Sequence, residues 1–200
     1  MRNLVMLLTA AVMVAAAGAA AFAQEDTRLQ GKRVVILVEE QVNELEAFYP
    51  FFRLQEAGAK VEFAGRGKDR YVGESGLTVE PVTLNVADLK VADFDAVIVP
   101  GGYAPERLRR DQRVTDFVRG MYEAGKVVAS VCHGPQVLIS AGILRGRRAT
   151  GYGAVKDDVI NAGATWVEDE PVVRDGNLIT SRWPEDMPYF CPAIIKALTE

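Results

Sequence analysis

Polar and apolar positions along this chain alternate between two periods. Residues 33–38 (Arg-Val-Val-Ile-Leu-Val), 95–99 (Asp-Ala-Val-Ile-Val) and 127–131 (Val-Val-Ala-Ser-Val) are short, nearly continuous apolar runs. Runs of that length, rich in β-branched residues, predict strands buried on both faces, as in a parallel sheet. Residues 60–64 alternate and predict a further strand. Residues 77–84 are β-rich but interrupted by Pro81, which predicts a peripheral position.

Between these strands the period lengthens. Leu45, Phe48 and Phe52 recur at helical spacing up to Gly58, and Pro50 is expected to kink or restart that helix. Residues 111–124 place Val114, Phe117, Val118 and Met121 on one stripe, with Gly125 as the stop. Residues 136–141 start another helix closed by Gly142, residues 172–180 read as a β-hairpin around Asp175-Gly176, and residues 184–198 as a last helix. The alternation predicts a three-layer α/β sandwich with a mostly parallel central sheet plus a small hairpin. Ligands in such sheets bind beyond the carboxyl ends of the strands. Three strand ends matter on that ground: residues 39–46, 100–106 and 132–135.

Ahead of the first strand, Arg2 precedes an apolar run over residues 4–14 and small residues ending Ala21-Phe22-Ala23. That order is the n-region, h-region and A-x-A site of a secretory signal peptide, cleaved before Gln24. The alternative is an uncleaved anchor, since residues 3–23 are just long enough to span a bilayer. The expected organisation is a signal peptide (1–23), a flexible leader (24–31) and one domain (32–200) of an exported protein, periplasmic or secreted.

Composition narrows the chemistry. The net charge of −4 supplies no global positive field for nucleic acid or anionic lipid. The Arg107, Arg109, Arg110 and Arg113 cluster reads as a solvated or interface face. Two cysteines and one histidine exclude a disulfide-dense scaffold and a His-rich metal site, so no metal is expected. Gly65-Arg66-Gly67 lacks the third glycine and following helix of a dinucleotide site, so no cofactor is expected either. Any imidazole chemistry falls to His133.

Residues 127–135 bring Cys132-His133-Gly134-Pro135 to a point where a buried strand turns into a helix. The setting resembles the nucleophile elbow of hydrolases without its G-x-S-x-G pattern. The helix N-terminus and the neighbouring imidazole are both expected to favour thiolate over thiol. The bland alternative is a buried, inert cysteine.

Several motifs in order now resemble one family: residues 100–107 (Pro-Gly-Gly-Tyr-Ala-Pro-Glu-Arg), 129–136 (Ala-Ser-Val-Cys-His-Gly-Pro-Gln), 140–147 (Ser-Ala-Gly-Ile-Leu-Arg-Gly-Arg), Lys156-Asp157-Asp158 with residues 161–164, and Asp175-Gly176-Asn177 with Ser181-Arg182. They are similar to the signatures of the DJ-1/PfpI family, best to its PfpI (intracellular protease I-like) branch, over residues 32–198. The resemblance implies a flavodoxin-like sandwich of class I glutamine amidotransferase topology, with activities described as cysteine peptidase, glyoxalase and deglycase. It implies Cys132 as nucleophile and His133 as its partner. It implies that Glu106 orients the imidazole of a neighbouring subunit in a homo-oligomer, that backbone N–H groups at Gly101, Gly102 and His133 form the oxyanion-binding positions, and that Glu46 hydrogen-bonds the cysteine.

Each role has a plainer counterpart. Asn43 and Glu46 also fit a reciprocal helix cap. Glu106 could be a solvated first-turn acid, and Gly101-Gly102 a simple turn. Asn43 stands where PfpI-branch relatives usually carry an acid, and loss of that charge should lower the pKa of a nearby carboxyl such as Glu46.

A thiolate beside an oxyanion hole can attack an aldehyde or an amide. A site at a subunit interface favours small 2-oxoaldehydes and their early glycation adducts, with short peptides as the runner-up. A non-enzymatic redox sensor or chaperone-like stress protein is the third possibility, sharpened by Cys191 as a disulfide partner. Glutamine amidotransferase chemistry is weak, since no second His exists.

Overall fold

The computed structural model describes residues 26–200; the expected signal peptide at 1–23 lies outside them. The apolar runs become Arg33–Leu37 (β1), Ala96–Val99 (β6) and Val127–Val131 (β7), and the alternating run becomes Lys60–Gly65 (β2). From Val34 on in β1, and throughout β6 and β7, every residue is buried, as parallel strands covered on both faces require. Thr78–Val79 (β4) pairs with Tyr71–Val72 (β3) as a separate antiparallel hairpin, and Leu84–Asn85 (β5) joins the sheet edge. The stretch broken by Pro81 is therefore peripheral, as its sequence predicts.

Arg148–Ala149 (β8) and Thr165–Trp166 (β9) pair in a small sheet of their own, and the main sheet has seven strands in the order β10-β11-β7-β6-β1-β2-β5, where β10 is Val172–Asp175 and β11 is Leu178–Ser181. Every pairing is parallel except β10 with β11. The hairpin read from residues 172–180 is thus not an appendage. Its second strand pairs with β7 along Leu178–Ser181, because Leu178, Ile179, Thr180 and Ser181 are all buried and need a partner on each side.

Among the described residues six α-helices flank the sheet, one of them Lys156–Asn161 (α5). Glu44–Glu56 (α1) and Met187–Thr199 (α6) pack on each other over one face. Ala104–Leu108 (α2) leads into Gln112–Glu123 (α3), which packs on β6, β7 and Pro135–Ala141 (α4). In α3 the buried stripe is Val114, Phe117, Val118 and Met121, as its spacing predicts, and Asp111 caps its start by accepting from Arg113 N–H at 3.1 Å.

Helix α1 departs from expectation. It runs through Pro50 without a restart, and its buried positions are Glu44, Glu46, Ala47, Pro50 and Leu54. Leu45 is 66% exposed and Phe52 61%, so two of the three apolar residues that suggested the helix lie on its outer face. The inward face carries two carboxylates because Glu46 meets the loop after β6 and Glu44 meets the turn between β3 and β4. Phe51, stacked 4.5 Å from Phe63, and Phe48, edge-on to the same ring, hold the helix to β2.

The chain fills the sheet from β1 outwards to β2 on one side and through β6 and β7 on the other. The strand order therefore reverses beside β1. Beyond the carboxyl ends of β1, β6 and β7 lie Glu46, Gly101-Gly102 and Cys132, at the crevice where doubly wound sheets place their ligands.

Candidate active site

Cys132 follows the last residue of β7 with φ +59, one of two non-glycine residues in the left-handed region among the described residues. A side chain there costs on the order of 1–2 kcal/mol, so the surroundings must hold it. They do so at both ends of the residue. Cys132 N–H donates to the Ser181 carbonyl at 3.1 Å, and its own carbonyl accepts from Tyr152 N–H at 2.9 Å. Gly134 N–H closes the turn on the Val131 carbonyl at 2.8 Å, and Pro135 opens α4, where a missing N–H costs nothing. The sulfur is fixed at the head of the crevice, with the residue 9% exposed.

A second loop meets it. After β6, Gly102 forms an antiparallel bridge with Val42, reinforced by Asn43 N–H to Gly101 O (3.3 Å) and Tyr103 N–H to Gln41 O (2.8 Å). Gly102 has φ +72, and a Cβ there would collide with the Gln41 carbonyl. A Cβ on Gly101 would stand 2.6 Å from Cys132 Cβ, 2.7 Å from Glu46 Oε2 and 2.9 Å from His133 N. Glycine at these two positions lets the loop slide between α1 and the elbow. A simple turn would not demand it.

The contacts separate the readings of Glu46. Asn43 does cap α1, its Oδ1 accepting from Glu46 N–H at 3.2 Å. The Glu46 carboxylate does not return the bond. Its Oε2 accepts instead from Gly101 N–H at 2.6 Å, and it hydrogen-bonds with Cys132. Its Oε1 is buried without another partner. The helix cap and the site contact coexist, carried by different atoms.

The electrostatics correct one expectation. Helix end and imidazole were expected to make the thiol acidic by themselves. Burial, followed by the negative charge of Glu46, instead pushes Cys132 up to about 12, against the opposing pull of the Gly102 and His133 N–H groups, which donate to it. Burial likewise raises the Glu46 carboxyl to about 7. Two acidic groups in contact titrate as one unit. Both groups are held protonated to higher pH than usual, and once the pair has lost one proton, the remaining proton and the single negative charge are divided between oxygen and sulfur.

His133 Nδ1 stands 3.4 Å from Cys132 Sγ, so the imidazole adjoins the sulfur as its place in the sequence suggests. Tyr152, which the sequence did not single out, lies with its ring 5.0 Å from the imidazole and its N–H on the Cys132 carbonyl. Nothing in its spacing announces that contact. Glu106 sits in the first turn of α2, exposed and without a hydrogen bond or ion pair among the described residues. Structure thus brings together Cys132, His133, Glu46, Gly101 and Gly102 and leaves Glu106 on the surface. Of the basic cluster, Arg107 donates to Gln41 Oε1, Arg109 to Ser140 Oγ and Arg113 to Asp111, local anchors for the loops around the crevice. Cys191, in α6, is fully buried, and both cysteines are free.

Comparison with known proteins places this geometry. The profile of the DJ-1/PfpI family matches residues 32–197. A deglycase of Pyrococcus abyssi is 45% identical over 166 residues, covering 83% of this chain and 99% of that protein. A putative cysteine protease of Bacillus subtilis, YraA, is 38% identical over 160 residues, covering 80% of this chain and 94% of the relative. Among solved structures, Drosophila melanogaster DJ-1beta superposes with a TM-score of 0.78 at 30% identity, covering 84% of this chain and 90% of that one.

Proposed function

The chain belongs to the DJ-1/PfpI family, and on that premise we propose that it is a cysteine-dependent enzyme acting on small 2-oxoaldehydes and their early glycation adducts, a glyoxalase or deglycase. The observation that carries the reading is the convergence of the Gly102 and His133 N–H groups on the Cys132 sulfur at a strained elbow. Relatives named as deglycases agree with it.

The chemistry follows from those groups. With the shared proton on Glu46, the sulfur carries the charge and attacks the aldehyde carbon of a compound such as methylglyoxal. A C–S bond forms, and the carbonyl π pair moves onto oxygen. The N–H donors that held charge on sulfur are placed to hold it on that oxygen, a preorganised arrangement. The Glu46 carboxyl and His133 are the groups within reach to move protons between adjacent carbons. Addition of water then releases a 2-hydroxy acid: the aldehyde carbon is oxidised while its neighbouring ketone carbon is reduced. No external oxidant or reductant is needed. An adduct on an amine or thiol would release that group at the same centre.

Among the described residues Glu106 has no hydrogen bond or ion pair, and His133 Nδ1 has no hydrogen-bond partner but the Cys132 sulfur. This supports a homo-oligomer in which Glu106 reaches the imidazole of a second copy. The order of charges and small residues over 1–23 supports export to the periplasm or beyond, which the N-terminal mass of protein from its native host would test.

The deciding experiment is a panel of methylglyoxal, its amine adducts and short peptide amides on wild type and Cys132→Ser. The reading expects aldehyde consumption that Cys132→Ser abolishes. Full turnover in Cys132→Ser refutes it. Cleavage of peptide amides with no aldehyde consumption transfers the conclusion to peptidase chemistry, which the Bacillus relative's name favours.

A further inference from the structure

A contact outside the crevice reaches the helix that carries Glu46. Asn43 uses both ends of its amide. Oδ1 accepts from Glu46 N–H at 3.2 Å, and Nδ2 donates to Glu74 Oε2 at 3.1 Å. Glu74 belongs to the turn between β3 and β4, a hairpin outside the main sheet. That turn is pinned to the start of α1. Glu74 N–H donates to the Val42 carbonyl at 3.1 Å, and the Glu44 carboxylate accepts from Ser75 N–H (2.8 Å) and Ser75 Oγ (2.7 Å). A Cβ on Gly73 would collide with the Glu44 carboxylate, so the turn and the helix meet without slack. These clamps bring an exposed carboxylate to the mouth of a buried acid pair.

We propose that Glu74, held by Asn43, is a positioning residue for the nucleophile: its charge biases the shared proton towards Glu46 and so leaves the negative charge on Cys132. The proposal rests on Cys132 being the reacting atom, as in the reading above.

The direction follows from what faces the pair. From the elbow come Cys132, His133 and the N–H groups that donate to sulfur; from the loop after β6, Gly101 N–H; from the turn before α6, Glu185; from the hairpin, Glu74. Glu44 on the same helix is occupied by Ser75 and Leu77. Glu74 and Glu185 both disfavour charge on Glu46, and Glu74 is not among the main influences on Cys132. Like charge near the carboxyl keeps it protonated, and the one remaining negative charge moves to sulfur. Because Glu74 is exposed, solvent and salt weaken the effect.

The test is the pH dependence of Cys132 alkylation by iodoacetamide, which needs no substrate. Relative to wild type, Glu74→Gln should move the first midpoint down by a few tenths of a unit and also lower the plateau above it, by roughly twofold. Both changes should shrink in 1 M NaCl. Asn43→Asp keeps a capping oxygen and adds a carboxylate at the same place, so its midpoint should move up. Loss of a merely structural contact would not couple a lower midpoint to a lower plateau. Glu74→Gln and wild-type profiles that superimpose would overturn the proposal while leaving the enzymatic reading standing. The expected shifts in a protein that leaves aldehydes untouched would sink that reading alone.

Discussion

Replacing Glu46 by Gln separates the stability cost of the site from its chemistry. Glu46 is fully buried, and burial raises its carboxyl from 4.5 to about 7. In the unfolded chain the same group titrates near its ordinary value. Between those two values the folded protein holds a proton that the unfolded chain has released, so stability falls as pH rises through the window. The difference between 4.5 and about 7, at about 1.4 kcal/mol per pH unit, amounts to about 3.5 kcal/mol, of which about 3 falls between pH 4.5 and 8. Glutamine has no such proton to lose, and its amide oxygen can still accept from Gly101 N–H. Urea denaturation, followed by the fluorescence of Trp166 and Trp183, should therefore show a stability difference between variant and wild type that grows by about 3 kcal/mol from pH 4.5 to 8 in favour of the variant. The series stops at 8 because Cys132, raised from 9.0 to about 12, adds its own loss at higher pH. The same variant should alkylate faster at pH 7.5, because the Glu46 charge that holds the Cys132 thiol up is gone. A stability difference that stays flat across this range would refute the argument, since the buried carboxyl would then titrate alike in both states.

Two further substitutions probe the geometry directly. Gly101→Ala places a methyl group within 3.0 Å of Cys132 Cβ, Glu46 Oε2 and His133 N, and should cost about 1–3 kcal/mol and most of the turnover. Gly153→Ala, with nothing within 4 Å of the new atom, is the control and should change neither. Glu106→Gln should lose much of the turnover with the urea midpoint of the monomer unchanged. If Glu106 acts across an interface, mixing it with Cys132→Ser protein under exchange conditions should restore part of the activity; two inactive parents that stay inactive when exchanged would place Glu106 outside the site.

What the sequence revealed of this fold depended on how local the cause was. The runs of β1, β6 and β7 declare themselves because both faces of each strand are buried, and the stripe of α3 declares itself because one face is. Helix α1 was found by its aromatic residues and turned the wrong way, since its inward face is spent on Glu44 and Glu46 rather than on apolar contact. Hydrophobic periodicity has no means of anticipating carboxylates that face inward. The second strand of the 172–180 hairpin reads only as half of a hairpin because a tight turn dominates its local pattern, yet parallel pairing with β7 is a long-range fact. The elbow was legible from Cys132 to Pro135. The Glu74–Asn43 contact, 31 residues apart in the chain, and the Tyr152 ring against His133 were not.

The two cysteines show why position, rather than the thiol itself, makes the nucleophile. Burial raises both to about 12. For Cys191 burial is the main cause, the weak opposing charge of Arg53 is the only other influence, and the residue is completely enclosed in α6. Its proton has nowhere to go. For Cys132 the same burial is accompanied by an acid that can hold the proton in its place, by two N–H donors and by an imidazole 3.4 Å away. The cost of enclosing the sulfur is thus comparable, but only at the elbow is there a neutral arrangement of neighbours that becomes favourable once the charge is on sulfur. In native protein near pH 7.5, iodoacetamide should modify one thiol per chain, and mass mapping should place it at Cys132; the second should appear only in urea. Equal labelling of both thiols in the folded state, or of neither, would mean that the elbow confers no special reactivity.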